Sequence, residues 1–203
     1  NILNWDARNE AGVEPLQDYL DAIDAAATLD ELMEVHNRIM EETSVGLLLG
    51  FGITQDLADT SKKVLSFGTT GASLPQEYYA NDAVVALFTQ YIATLLTLGG
   101  EDEESALAGA EALLEMEKAL SAVSLTSEQK ADLANTYNIY DMDDLRALFP
   151  TVDLDAVREG FGLPERDTCV VTDPGLVKAV GELLTEENVD QLKAVMKAAL
   201  LSS

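Results

Sequence analysis

The chain contains one histidine, His36, and that count limits the hydrolytic chemistry open to it. Zinc hydrolases that bind the metal on a helix use HExxH, in which two histidines lie one turn apart and the glutamate serves as the base. His36 lies in the stretch EVHNRIM, and the residues three and four positions away are all apolar: Leu32, Met33, Ile39 and Met40. We therefore expect a packed or surface histidine and no zinc ligand.

Nucleophilic catalysis and nucleotide binding also lack the residues that they need. A Ser/His/Asp triad would have to use the same His36, and no GxSxG sequence is present to expose a serine. Gly46, Gly50 and Gly52 form a glycine-spaced run, but the run matches neither GxGxxG nor the phosphate-binding GxxxxGK pattern. The sequence thus provides no basis for an acyl-enzyme or for a bound nucleotide.

Acidic residues and the single cysteine do not define a metal site. Residues 101–104 are four consecutive carboxylates at the start of a predicted helix, where they complement the positive end of the helix dipole. Asp143 and Asp144 lie in a segment that lacks the glycine and the terminal glutamate of an EF-hand loop. Cys169 has no Cys or His neighbour at metal-ligand spacing. We assign no catalytic, cofactor-binding or metal-binding residue, and no substrate-binding residue is identified.

The charge balance excludes two classes of partner. Twelve Lys+Arg against 37 Asp+Glu give a formal net charge of -25, and a negative field repels nucleic-acid phosphates and anionic lipids. The most apolar long window, residues 83–98, is shorter than the about 20 residues that span a bilayer, so we expect a buried helix and no membrane insertion. The first residues show no signal peptide and no initiator methionine, and we expect a piece of a longer chain.

Hydrophobic spacing and capping signals predict one mainly α-helical, multi-helix domain over residues 1–203. Helices are predicted at 15–23, 28–42, 80–98, 101–123, from 126, and at 142–149, 153–160, 174–184 and 186–201. Residues 45–53 are too rich in glycine for a stable helix, and residues 63–67 resemble a second extended run. We predict a small two-stranded antiparallel β element from this pair, and residues 168–172 are also β-prone.

Short landmarks follow one another along the chain in a characteristic order. They are RNEAGVEPL at residues 8–16, Asp56 before a short strand, Leu74-Pro75 with Tyr78-Tyr79, LEMEKAL at residues 114–120, and Tyr137-Asn138 with Leu145. In this order they resemble the N-terminal region of the neprilysin family of zinc metallopeptidases, which includes endothelin-converting enzymes and bacterial oligopeptidase O. The resemblance covers nearly the whole chain. It departs in detail, with Ala72-Ser73-Leu74-Pro75 for the family's Gly-Leu-Gly-Leu-Pro and Gln76-Glu77 where Asp or Ser followed by Arg is usual.

The resemblance implies a parent protein with two lobes. A thermolysin-like lobe carries HExxH and a downstream zinc-binding glutamate, and a largely helical lobe caps it, so that the two enclose a chamber that admits peptides and excludes folded proteins. In this chain, Leu74 and Pro75 would form the turn from the β element to the long helix. Tyr78 and Tyr79 would anchor the start of that helix, each with its ring buried and its hydroxyl paired.

From this resemblance we expect the capping, size-excluding lobe of a bacterial neprilysin-like zinc metalloendopeptidase that hydrolyses oligopeptides. Zinc, which would activate a water molecule, is expected in the parent enzyme and not in this chain. The expected partners are the catalytic lobe of the same chain and peptide substrates. The expected compartment is the bacterial cytoplasm or the cell surface, with the cytoplasm favoured. The alternative is an autonomous acidic helical module that binds another protein and has no enzymatic activity.

We predict that the isolated 203-residue chain retains no zinc and hydrolyses no peptide, because its sequence contains no zinc-binding motif. Metal analysis of the purified chain and a cleavage assay with a fluorogenic oligopeptide test this. Stoichiometric, tightly held zinc or repeated turnover would contradict the assignment to a non-catalytic lobe.

Overall fold

The computed structural model describes residues 11–203, so residues 8–10 of the first landmark lie outside the described residues. The α-helices are α1 (Gln17–Ala25), α2 (Leu29–Thr43), α3 (Asp82–Leu98), α4 (Glu103–Val123), α5 (Ser127–Lys130), α6 (Leu133–Thr136), α7 (Met142–Leu148), α8 (Leu154–Gly160), α9 (Pro174–Leu183) and α10 (Val189–Ser202). The strands are β1 (Leu49–Gln55), β2 (Lys63–Thr69), β3 (Asn138–Asp141) and β4 (Thr168–Val171). Short 3-10 helices precede α1, α3 and α10, at Glu14–Leu16, Gln76–Ala80 and Glu186–Asn188. The predicted mainly α-helical class is confirmed.

Side-chain caps fix where several helices begin. Thr126 and Gln129 form a capping box, in which Gln129 N–H donates to Thr126 Oγ1 at 3.2 Å and Thr126 N–H donates to Gln129 Oε1 at 2.9 Å. At the start of α4, Asp102 Oδ1 accepts from the backbone N–H groups of Glu104 and Ser105, each at 3.0 Å. These contacts satisfy N–H groups that the first turn leaves unpaired, so the acidic start of α4 has a structural explanation.

The sheet is larger than the predicted two-stranded antiparallel element, and that prediction is wrong in strand number. Strands β1 and β2 form the antiparallel pair as expected, with Phe51 opposite Phe67. However, β4 pairs with β2 in parallel and β3 pairs with β4 antiparallel, which gives the order β1-β2-β4-β3. Strands β3 and β4 have only four residues each. Their pairing depends on contacts between distant segments, which a short stretch of sequence does not encode.

An aromatic cluster joins the sheet to the helices. The ring centroid of Phe51 lies 4.8 Å from that of Phe67, and Phe67 meets Phe149 edge-on at 5.4 Å. All three side chains are buried, and they belong to an apolar core that continues to Leu20 of α1 and Leu32 of α2. Aromatic pairs of this geometry add about 0.5–1.5 kcal/mol to the free energy gained from burial alone. The cluster therefore fixes the sheet against the end of α7.

Close packing explains Gly50 of β1. A Cβ at Gly50 would lie 2.5 Å from Cζ of Phe161, whereas a Cβ at Gly46, before the strand, would make an ordinary contact with the same atom at 3.6 Å. Phe161 follows α8 and packs against the core. Any side chain at Gly50 would displace this ring, so glycine is needed there for the approach of α8 to β1 and not for a ligand.

We predict that Gly181→Ala destabilises the protein, although alanine is the better helix former. Gly181 lies within α9, and a Cβ there would lie 2.2 Å from the backbone oxygen of Leu148. Overpacking typically costs about 1–3 kcal/mol, and a backbone atom moves less readily than a side chain. We expect the free energy of unfolding, measured with urea, to fall by about 2 kcal/mol or more. This is the net loss that remains after the roughly 1 kcal/mol that alanine contributes as the better helix former.

Gly109→Ala in α4 is the matched control. The atom nearest to a Cβ at Gly109 is Cδ1 of Leu96 at 3.0 Å, which belongs to a side chain that can shift. A Gly181→Ala variant as stable as the Gly109→Ala variant would show that α9 and the end of α7 are not in the close contact described here.

Candidate functional site

His36 is the one histidine of the chain, and it is enclosed by the core. It is fully buried in α2, and its Nδ1 lies 3.1 Å from Asn37 Oδ1. Burial lowers the pKa of His36, which keeps the ring neutral at neutral pH. Of the packed and the surface histidine that the sequence left open, the structure shows the packed one. Within residues 11–203, no three His, Cys, Asp or Glu side chains come together in an arrangement that could hold a metal ion.

Cys169 and the carboxylates of Asp143 and Asp144 also have structural roles. Cys169 is buried in β4, and burial raises the pKa of its thiol to about 11, so the reactive thiolate is scarce at neutral pH. Asp143 and Asp144 are exposed in the first turn of α7. Asp143 pairs with Arg146 at 2.7 Å. None of these groups is arranged for acid–base or nucleophilic catalysis.

The loop between β2 and α3 is held by one buried carboxylate, that of Glu117 in α4, which is 5% exposed. Glu117 Oε2 accepts the Tyr79 hydroxyl at 2.6 Å and the Ser73 backbone N–H at 3.2 Å. Glu117 Oε1 accepts the Ser73 hydroxyl at 2.5 Å. The Tyr79 hydroxyl in turn accepts the Leu74 backbone N–H at 3.1 Å. We call Ser73, Leu74, Tyr79 and Glu117 the Glu117 latch.

Tyr78 and Tyr79 have different roles, because only Tyr79 belongs to the Glu117 latch. Tyr79 anchors the start of α3 as predicted, and burial together with the hydrogen bond to Glu117 raises the pKa of Tyr79 well above its usual value. Its hydroxyl therefore stays protonated as a donor. The same prediction for Tyr78 is wrong, because its side chain is 47% exposed. Successive residues of a 3-10 helix point about 120° apart, so both rings cannot face α4.

Two other landmarks meet at the edge of the sheet. The Tyr137 hydroxyl donates to Asp56 Oδ1 at 2.5 Å, although the two residues are 81 positions apart. This bond lowers the pKa of Asp56 and raises that of Tyr137. The neighbouring Asn138 side chain donates to the Val171 carbonyl at 3.1 Å. These bonds fasten β3 beside β4 and the β1–β2 connection, so the landmarks serve the fold.

A buried cation fixes the last helix. Lys197 of α10 is 6% exposed, and its Nζ pairs with Asp24 at 2.7 Å and also with Glu101. Burial alone would lower the pKa of Lys197, but the hydrogen bonds to the two carboxylates outweigh it and raise that pKa. The ammonium group stays charged and joins α10 to the end of α1 and to the connection between α3 and α4.

Helix α3 is apolar around much of its circumference. Of its 17 residues, Asp82 is the one charged residue, and only Ile92 and Leu96 are buried. Leu87, Tyr91 and Leu98 are 68%, 50% and 59% exposed, and we call these three side chains the exposed α3 stripe. Exposed apolar patches on a charged protein mark surfaces that another body covers. Yet α3, like every other helix within residues 11–203, is not both long and apolar enough to cross a membrane.

The chain matches known proteins over nearly all of its length. A family model described as peptidase family M13 matches residues 1–203. A Streptococcus gordonii protein described as a zinc metalloproteinase is 26% identical over 201 residues, which are 95% of this chain and 35% of that protein. Neprilysin-2 of Drosophila melanogaster is 24% identical over 151 residues, which are 70% of this chain and 20% of that protein.

Solved structures share the fold. The inhibitor complex of the Mycobacterium tuberculosis zinc metalloprotease Zmp1 has a TM-score of 0.84 at 24% identity, and the match covers 98% of this chain and 31% of that chain. PepO from Lactobacillus rhamnosis HN001 has a TM-score of 0.78 at 19% identity, over 95% of this chain and 31% of that chain. At such identities the likeness establishes the fold alone.

The family model that matches residues 1–203 places the chain in a family of peptidases. The chain belongs to peptidase family M13 and corresponds to the N-terminal region of that family. It spans 35% of the Streptococcus gordonii protein and 31% of Zmp1, about a third of the length of each.

We predict that Glu117→Ala lowers the free energy of unfolding by about 2 kcal/mol, because the donors of Ser73 and Tyr79 lose their buried acceptor. The loop that contains Ser73 and Tyr79 should also exchange its amide hydrogens faster. Urea unfolding and hydrogen exchange measure the two effects.

Glu115→Ala on the same helix is the control for this prediction. The Glu115 side chain is 73% exposed and pairs only with Lys118, so its loss should change the free energy of unfolding by less than about 0.5 kcal/mol. Equal effects of the two substitutions would show that Glu117 does not hold the loop.

Proposed function

We propose that this chain is most of the capping lobe of a longer, bacterial neprilysin-like zinc metalloendopeptidase that hydrolyses oligopeptides. The observation that carries the proposal is the match of the whole chain to peptidase family M13. The fold shared with Zmp1 supports it. Membership of this family does not favour the alternative of an autonomous acidic interaction module. The role of the lobe is to exclude folded proteins and to form part of the wall around a bound peptide.

The residues of this chain do not suit zinc. The sequence has a single histidine, and His36 is enclosed by the core with apolar neighbours on its helix. The described carboxylates form caps, ion pairs and the Glu117 latch, and no metal-binding group arises from them within residues 11–203. In the proposed enzyme, zinc is held by another part of the longer chain, and this lobe contributes no ligand to it.

This chain contributes a surface of defined shape and a negative charge to the proposed enzyme. The Glu117 latch and the Lys197 ion pairs fix α3, α4 and α10 relative to one another, which gives the lobe a defined surface. A net charge of -25 creates a negative field that attracts cationic peptides and repels acidic ones. The lobe thereby favours basic peptides in the chamber before any catalytic contact is made.

The exposed α3 stripe is the surface on which the rest of the longer chain packs. The stripe is uncharged, whereas 24% of the residues of the chain are charged. Relatives of the chain are about three times as long, so enough polypeptide is available in such a protein to cover the stripe. Covering Leu87, Tyr91 and Leu98 would remove exposed apolar surface from water, which stabilises a contact between lobes.

Thiol labelling in the longer gene product tests this arrangement. Cys169 is the one cysteine of the chain and is buried, so Leu87→Cys would provide the accessible thiol of this region. We expect a maleimide to react at least about tenfold more slowly in the longer protein than in the 203-residue chain, because burial protects the thiol. The longer protein should also hydrolyse an oligopeptide, and a zinc chelator should abolish that hydrolysis.

Lys178→Cys on α9 is the control, since the Lys178 side chain is 67% exposed on a charged part of the surface. Its labelling rate should be the same in the two proteins. Equal labelling of Leu87→Cys in both proteins would refute this arrangement. Hydrolysis that survives chelation would refute the proposed enzyme.

A further inference from the structure

A cavity of about 500 Å³ lies between α3, α4 and α10, beside the Glu117 latch. Its walls are apolar, and Phe88, Ile92, Leu113 and Val195 contribute to them. Ligand-binding pockets in proteins commonly have volumes of about 300–1,000 Å³ and combine apolar walls with a few polar groups. The carboxylate of Glu117 is the charged group that lines this cavity.

Glu117 differs from the other buried charged residues of the described chain. Arg158 pairs with Asp155 at 3.6 Å, Asp173 with Lys130 at 3.9 Å, and Lys197 with two carboxylates. Among residues 11–203, no ion pair includes Glu117. A buried charge without a partner of opposite sign is costly, and proteins normally pair it. A cation that entered the cavity would supply such a partner.

The hydrogen bonds of Glu117 leave room for such a partner. A carboxylate offers about four acceptor positions. The two hydrogen bonds from Ser73 and the one from Tyr79 use three of them, with a single donor on Oε1. One position on Oε1 is thus open to a donor from a ligand. A charge-assisted hydrogen bond at this position would be stronger than a neutral one.

We propose that this cavity binds a cationic group carried on an apolar stem. The ammonium or guanidinium group pairs with Glu117, and the methylene stem packs against Phe88, Ile92 and Leu113. Ser202, which is exposed, also lines the cavity and leaves a path from the surface. A lysine or arginine side chain of a bound peptide has this chemistry, and that identification rests on the proposed function, whereas the site itself does not.

Binding of pentylammonium to the 203-residue chain tests the site, with 1-pentanol as the neutral probe of similar shape. Titrations followed by methyl NMR should show shifts at Ile92, Leu113 and Val195, which line the cavity. We expect Glu117→Gln to weaken pentylammonium binding at least about tenfold, because a charged hydrogen bond is lost. Glu117→Gln keeps one oxygen to accept from the Tyr79 hydroxyl and the Ser73 N–H, and its NH2 group can donate to the Ser73 hydroxyl. Its binding of pentanol should therefore stay unchanged.

Two further variants complete the test. Glu115→Gln on the exposed side of α4 should bind pentylammonium like the parent chain. Ala199→Leu narrows the cavity without removing the carboxylate and should weaken both probes, which keeps the test valid if Glu117→Gln does not fold. Equal affinity for the two probes, full pentylammonium affinity in Glu117→Gln, or shifts spread over the acidic surface would each overturn the site. None of these outcomes depends on peptidase activity, so failure of the site and failure of the proposed function are separable.

Discussion

The hydrogen bonds of Glu117 connect the sheet, the loop and the helical layer. The carboxylate is buried, and its acceptors are matched by the Ser73 hydroxyl, the Ser73 N–H and the Tyr79 hydroxyl. Because a buried network is stable only when its members are satisfied together, the loop has one permitted path over α4. That path fixes where α3 begins. The exposed α3 stripe and the neighbouring cavity both depend on this placement.

The landmarks that identify the family are architectural. The LEMEKAL segment supplies Glu117, and the segment with two tyrosines supplies Tyr79, so these two landmarks are partners in one network. Asp56 and Tyr137 are likewise bonded to each other across the edge of the sheet. In each pair, a change of one residue would leave the other without its hydrogen-bond partner. This explains how a chain with no visible catalytic residue still shows its family clearly.

The composition of α3 links the fold to the proposed role. An isolated lobe would bury the apolar positions of its longest apolar helix, but only Ile92 and Leu96 are buried in α3. Phe88 lines the cavity, Leu87 and Leu98 belong to the exposed α3 stripe, and Tyr91 belongs to both. The proposed ligand site and the proposed contact between lobes therefore adjoin each other on this helix. The acidity of the rest of the surface favours cationic partners at both places.

The sequence by itself determined the features that depend on neighbours along the chain. The capping box of Thr126 and Gln129, the antiparallel pair of β1 and β2, and the absence of HExxH all follow from residues a few positions apart. The tertiary structure alone decided that β3 and β4 join the sheet, that Tyr79 is less exposed than Tyr78, and that Glu117 accepts hydrogen bonds from Ser73 and Tyr79. Glu117 lies 38 positions from Tyr79 and 44 from Ser73. Propensity and capping act within a turn or two of the chain, whereas the burial of a side chain is set by elements that meet only after folding.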